Sequence, residues 1–415
     1  MTSISSRGRE LQNYFPVFFD VLDDAWDPDT NPGGFVNLGL AENTLMQAEM
    51  KEYLNTHNDH DARKMNYGDG FYGSKEIRAA ACQFVNKTFS PHTPLTPSHL
   101  IATAGVGNAL ETRAWALCDR DDYILVGRPY WGSLNLVLTS RPGVKIREVA
   151  FDTIDPFSLE AVQRYEEEAE KARAEGRKVS ALLLCTPHNP TGIHFISDEI
   201  YALSTWDNTR ALDQHGFCSI LSLDVAQYID PSKVYVLWGS SKDFGVAGIR
   251  IGFVISQHNP DFLRSAKSIS FFEGPSSPAD KVVSNLLANE SFMEWYKSEY
   301  RARLASSYQF ATKFMDDHGI TCVPVNDGLF LMINLGDTVF KSPKDEDIYQ
   351  RLRAKKVYIL PGTRFKYESS GWFPAVIAHP VSTLQEGFER LLQAVPQSGQ
   401  GLPVKQLEEL SVDEK

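Results

Sequence analysis

The stretch VYVLWGSSKDFGVAGIRIGFVIS, Val234 to Ser256, constrains this chain more than any other. Two β-branched apolar runs, Val234–Trp238 and Ile249–Ile255, read as buried strands. Between them lie Ser240, Ser241, Lys242, Asp243, Gly245 and Gly248. A strand end therefore delivers a lysine into a glycine-rich turn. A lysine that is partly desolvated and beside other cations loses proton affinity and becomes a nucleophilic amine able to form a Schiff base with an aldehyde. Arg250, a little further on, supplies a fixed positive fork suited to a phosphate.

The rest of the chain is read around that lysine. With 415 residues, 42% of them hydrophobic and 11% aromatic, it can bury a sizeable core. A formal charge of −12 argues against a nucleic-acid partner and against an anionic membrane surface. The five cysteines are odd in number and widely spaced, with no C-x-x-C pair, so neither a disulfide framework nor a metal site is expected. A reducing, cytoplasmic compartment fits. No apolar run is long enough to span a membrane, and no targeting segment is apparent.

Other stretches place polar groups at strand ends. LIATAGVGN, from Leu100, reads as a strand entering a small-residue turn that opens a helix, ALETRAWAL. That geometry aims backbone N–H groups and a helix dipole at an anion. After the strand YILVG comes Arg128-Pro129-Tyr130-Trp131-Gly132, an aromatic pair that serves equally for core packing or for ring stacking. SALLLC, Ser180–Cys185, is a buried strand leading to Thr186-Pro187-His188-Asn189-Pro190-Thr191-Gly192; IHFIS, Ile193–Ser197, leads to Asp198-Glu199-Ile200-Tyr201. The charged stretch EAVQRYEEEAEKARAEGRK reads as a solvated helix. Two strand-like runs, LFLMINL and VYILPG, bracket the helix KDEDIYQRLRAKK, and another helix follows at TLQEGFERLLQAV.

SKDFGVAGIR resembles the S-K-D-x-G-x-x-G-x-R signature of fold-type I enzymes that use pyridoxal 5'-phosphate (PLP). Within them the chain is similar to the aminotransferase class I/II and 1-aminocyclopropane-1-carboxylate (ACC) synthase-like branch. GLAEN around Glu42, the N-P-x-G string at Asn189 and the D-E-x-Y string at Asp198 occur in the family's order. The resemblance covers about residues 10–395. It implies an α/β fold with a mainly parallel central sheet, helices on both faces and a small α+β domain. The expected division is 1–45 joining the small domain, 46–275 as the large PLP-binding domain, 276–395 as the small domain and 396–415 as a polar tail.

The resemblance also implies roles. Lys242 holds the cofactor and moves the substrate's Cα proton. Asp198 pairs with the pyridine nitrogen, and Asn189 and Tyr201 share the phenolic oxygen. Val106 and Gly107 offer amides to the phosphate with Ser241 and Arg250, Trp131 stacks on the ring, and Glu42 reaches the substrate. The tyrosine that crosses to a neighbouring subunit's phosphate has Phe71 at its position, with Tyr72 or Tyr67 as substitutes. A homodimer acting on an amino acid or related amine follows, by transamination or by ACC-synthase or C–S lyase elimination.

Two departures bear on activity and keep a degenerate, weakly active or non-catalytic member as the alternative. The family's G-W-F-R, whose arginine clamps the substrate carboxylate, is Gly371-Trp372-Phe373-Pro374 here, leaving Arg364 as the nearest replacement. Secondly, parallel neighbours ordinarily need a crossover of a dozen or more residues, but only 186–192 separate SALLLC from IHFIS. A tight turn there would set the strands antiparallel and carry Asp198 about 17 Å away, to the opposite sheet edge. The expectation is a poorly active or poorly folded form.

Overall fold

A computed structural model of the chain describes residues 3–12, 18–156, 158–185, 194–208, 216–341 and 344–396. Its strands, in chain order, are β1 (Val36–Asn37), β2 (Leu100–Thr103), β3 (Tyr123–Gly127), β4 (Lys145–Val149), β5 (Val179–Leu184) and β6 (His194–Asp198). They continue as β7 (Val234–Gly239), β8 (Gly252–Ile255), β9 (Thr321–Cys322), β10 (Phe330–Asn334), β11 (Val357–Tyr358) and β12 (Trp372–Val376). A seven-stranded sheet runs β2-β8-β7-β6-β5-β3-β4. All its pairings are parallel except those of β8, which is antiparallel to both β2 and β7.

Strands covered on both faces need apolar side chains on both, and β5 and β7 are buried at every position. Alternation sorts β7 into two layers. Tyr235 and Leu237 join Ile196 of β6 and Ala109, Leu110 and Ala114 of the helix Val106–Leu117 on one face. Val234, Val236 and Trp238 join Phe195 and the helix Lys75–Thr88 on the other, where the rings of Phe84 and Trp238 stack at 4.8 Å. This is the α/β class expected, with helices on both sides of a mainly parallel sheet.

Beyond the sheet, β12, β10 and β9 form a three-stranded antiparallel unit in that order. β1 pairs in parallel with β11, so the segment before Ala41 is hydrogen-bonded to the C-terminal part of the chain. The long helix Glu290–Asp317 and the helix Val381–Ala394 pack together beside these strands.

The short connection does not reverse β6. Its register on β5 is parallel, with Ala181 opposite His194 and Leu184 opposite Ser197. The expected antiparallel turn is therefore corrected. In this register the chain returns only three residue steps along the strand axis, about 10 Å. Residues 185–193 could reach up to roughly 30 Å if extended. A crossover helix is the usual solution, but the distance does not demand one. A smaller correction concerns the run from Ile249. Ala247–Ile249 is a 3-10 turn and Arg250 is left-handed at φ 60, so β8 starts only at Gly252.

Candidate active site

Lys242 leaves the carboxyl end of β7 in a short helix, Ser240–Asp243, in place of the simple turn expected. That helix is pinned from several directions. The buried carboxylate of Asp243 accepts from Trp238 Nε1 at 3.1 Å and from Ser204 Oγ at 2.8 Å. Tyr296 Oη donates to the Asp243 carbonyl at 3.0 Å, and Asn43 Nδ2 donates to the Lys242 carbonyl at 3.0 Å. With its backbone fixed, the half-buried Lys242 donates from Nζ to the Ala41 carbonyl at 2.5 Å. Burial lowers its pKa to about 8; the charge of Glu42 opposes that shift, as does Asp198, while Arg250 adds to it. Ser241 is buried beside it.

Asp198 ends β6 and is level with Leu237 of β7, so it stands at the same carboxyl edge as Lys242. Cys185 Sγ donates to its Oδ2 at 3.8 Å. Its Oδ1 is buried and has no hydrogen-bond partner among the described residues. Burial raises the pKa of Asp198 to about 6, against the pull of the Ile200 backbone N–H, the Arg113 guanidinium, the Cys185 thiol and Lys242. Tyr201 follows, its ring edge-on to Phe330 at 6.3 Å. Burial, with Asp198 close by, makes the Tyr201 hydroxyl harder to ionise.

The helix Val106–Leu117 begins beside these groups without a side-chain cap. Val106 and Gly107 are its first residues, whose amides have no partner within a helix. The preceding Gly105 has φ 87, and a Cβ there would overlap the Arg250 guanidinium. Arg250 donates from Nη2 to the Ala104 carbonyl at 3.2 Å and from Nη1 to the Ala247 carbonyl at 3.0 Å. Free amides and a guanidinium thus meet over one glycine. Trp131 is half-exposed alongside, its ring 3.9 Å from where a Cβ of Gly107 would lie.

The remaining candidates divide. The Glu42 carboxylate accepts from Asn37 Nδ2 at 3.0 Å, a local pairing, yet its charge reaches Lys242. The Arg364 carbonyl lies 3.0 Å from where a Cβ of Gly132 would be, next to Trp131, while its exposed side chain pairs with Glu346 at 3.3 Å. Asn189 lies outside the described residues. Phe71 contacts the Tyr67 ring at 5.2 Å, whereas the Tyr72 ring is held between Arg78 and Lys267. Pro374 lies in the edge strand β12 opposite Met332, where its missing N–H is tolerated. Pro374, Met332, Phe330 and Trp372 are each half-buried at alternate positions, so they share an apolar face.

Sequence reasoning passed over Ala41, whose backbone carbonyl no motif advertises, and Arg113. The signal for Arg113 was present: a lone cation one turn after Ala109 and Leu110, on the apolar stripe of the helix. Among the described residues no cluster could hold a metal ion, and no helix is long and apolar enough to cross a membrane.

Known proteins resemble the chain over most of its length. The chain is 31% identical over 398 residues to the probable aminotransferase gliI of Aspergillus fumigatus, covering 88% of this chain and 90% of that protein. It is 26% identical over 401 residues to the 1-aminocyclopropane-1-carboxylate synthase of Glycine max, covering 89% and 82%. The fold matches that of Thermus thermophilus aspartate aminotransferase with maleate at a TM-score of 0.72 and 19% identity, covering 95% of this chain and all of that one. The family model for aminotransferase class I and II matches residues 34–391, and to that family the chain belongs.

Proposed function

We propose that the chain binds PLP through Lys242 and transaminates an amino acid or related amine, with the same lysine moving the Cα proton. The observation that carries this reading is the convergence of three features with binding capacity to spare at the carboxyl edge of β6 and β7, where open α/β sheets bind ligands. They are the amine of Lys242, the unpartnered Oδ1 of Asp198 and the uncapped helix start at Gly105. They match the aldehyde, the pyridine N–H and the phosphate of PLP. When bound, the cofactor supplies an electron sink that acidifies the substrate's Cα.

The chain's own residues do the rest. With a pKa of about 8, Lys242 is neutral in roughly one molecule in ten at pH 7, enough to attack an aldehyde or accept a proton. Asp198, as a carboxylate, favours a protonated ring nitrogen. Arg250 and the amides of Val106 and Gly107 hold the phosphate, Ser241 flanks it, and Trp131 covers one ring face. Tyr201, with Asn189, orients the phenolic oxygen. Glu42, beside the amine, faces the substrate. The apolar face of Phe330, Met332 and Pro374 supports a substrate that does not depend on an arginine clamp.

A homodimer is part of this reading. Tyr67 at 81% exposure and Phe272 at 82% join Phe71 and Phe271 in a chain of ring contacts, an exposed aromatic patch of the kind a second copy covers. All five cysteines are thiols, in keeping with a reducing cytoplasmic setting.

The test is the absorbance of the purified protein with PLP, followed by borohydride reduction and peptide mapping. A visible band and a reduced adduct on Lys242, both lost in Lys242→Ala with the circular dichroism unchanged, are expected. An adduct on another lysine refutes the assignment.

A further inference from the structure

Arg113 is fully buried under the sheet, a costly place for a guanidinium. It projects from the helix Val106–Leu117 and donates from Nη2 to the Val236 carbonyl at 2.9 Å. Its charge also lies over the Tyr235 ring, 5.2 Å from the centroid. Those contacts leave Nε and Nη1 buried without a hydrogen-bond partner among the described residues. Packing alone would be served by an apolar residue, as at Ala109, Leu110 and Ala114 on the same stripe.

The strand register locates what the spare donors face. Val236 of β7 is opposite Ser197 of β6, one residue before Asp198. Asp198 is two residues beyond Ile196, so alternation turns its side chain to the layer that holds this helix. Among the described residues, two orphans therefore occupy one layer at adjacent levels: cationic donors with no acceptor, and the Oδ1 of Asp198 with no donor.

We propose that Arg113 is a positioning residue that keeps Asp198 ionised and aimed at the cofactor's ring nitrogen, working from beneath the sheet without touching cofactor or substrate. This rests on the PLP reading above. Asp198 is otherwise faced by Lys242 from the end of β7, by the Cys185 thiol after β5, and by Tyr201 and Glu199 from its own segment. Lys242 is the other cation in that set, and once bonded to an aldehyde its nitrogen keeps a charge only below the midpoint of the visible band. Above that midpoint Arg113 remains to favour the carboxylate. Burial lowers its pKa to about 9, which leaves it charged at neutral pH, and the charges of Arg113 and Asp198 each favour the other's ionised form.

The experiment compares wild type, Arg113→Met and Arg113→Lys, each loaded with PLP, and reads the pH midpoint of the bound cofactor's visible absorbance and the PLP dissociation constant. In Arg113→Met the midpoint is expected to rise by about one pH unit, because a ring nitrogen that loses its proton stops drawing electrons from the Lys242 nitrogen. The dissociation constant should rise about tenfold, and Arg113→Lys should recover most of both changes. In an Asp198→Asn background, Arg113→Met should move the midpoint no further. A folded Arg113→Met with wild-type midpoint and affinity overturns the role, as does a shift that persists undiminished without Asp198. If neither variant folds, Arg113 serves the fold and the role is likewise overturned. A wild type with no Lys242-dependent band sinks the PLP reading itself, a result distinguishable from all of these.

Discussion

The Lys242 amine donates to the Ala41 carbonyl at 2.5 Å, a hydrogen bond between residues 201 positions apart in the chain. A single backbone acceptor and the charges of Glu42 and Asp198 do not repay the loss of water around the ammonium, and its pKa falls to about 8. Below that pH the folded protein bears the cost of a charge that the unfolded chain hydrates freely.

Lys242→Met should therefore stabilise the cofactor-free protein at pH 7, by ~1–3 kcal/mol. The sign follows from a base whose folded pKa is depressed: between about 8 and 10.4 the unfolded state binds more protons. Wild-type stability catches up as pH rises through that window. Urea midpoints at pH 7, 8.5 and 10 read the gap, and a gap that does not close with pH contradicts the shift.

Asp198 works in the opposite sense. Its folded pKa is raised to about 6, so the folded state binds the extra proton between about 4 and 6, and stability falls as pH climbs through that interval. Asp198→Asn should match wild type near pH 4 and exceed it at pH 7 by ~1–3 kcal/mol without cofactor. It should also bind PLP less tightly. Equal stability of the two proteins at pH 7 would remove the desolvation argument.

Gly105→Ala should cost ~1–3 kcal/mol through its positive φ, and should displace Arg250, whose guanidinium the new methyl overlaps. The informative control is pyridoxal, which lacks the phosphate. PLP affinity should fall about tenfold or more while pyridoxal binding changes little. A parallel loss for both ligands would mean that Gly105 shapes the pocket as a whole.

Pro374→Arg returns a planar fork to the half-buried face of β12. A charge-assisted pair adds ~1.5–3 kcal/mol, so alanine or methionine should bind about tenfold tighter or more. Calorimetry on the loaded protein measures it. Unchanged binding, with tight binding already present in the native protein, would show that another cation is the clamp.

How much of this was readable beforehand depended on how local each feature was. Lys242, Ser241 and Arg250 lie in one short string whose residues meet through the turn they form, and Val106 and Gly107 follow directly from a strand entering a helix. Asp198 was legible as a residue but not as a position. Its place depends on the register of Ala181 against His194, a long-range pairing that a count of intervening residues misjudged. Arg364 was nominated by nearness along the chain to the lost arginine, and its pairing with Glu346 was not legible because the two lie 18 residues apart. Arg113 escaped because helical periodicity was read for where the apolar residues fall and not for the cation among them.

The pairing of β1 with β11 makes the segment from Val36 to Thr44 a tether. Val36 N–H is bound to the Lys356 carbonyl, Leu38 N–H to that of Tyr358, and the Leu38 carbonyl accepts from Val376 N–H. A few residues on, Ala41 holds the lysine amine, Asn43 holds the lysine carbonyl, and Thr44 N–H is bound to the Ala378 carbonyl. The strand that carries Pro374 and the amine that does the chemistry are thus joined by one taut length of backbone. The acceptor that faces the lysine amine is thus set by the same hydrogen-bonded segment that seats β12 through Val376 and Leu38. The position of β12 and the placement of the amine share one support.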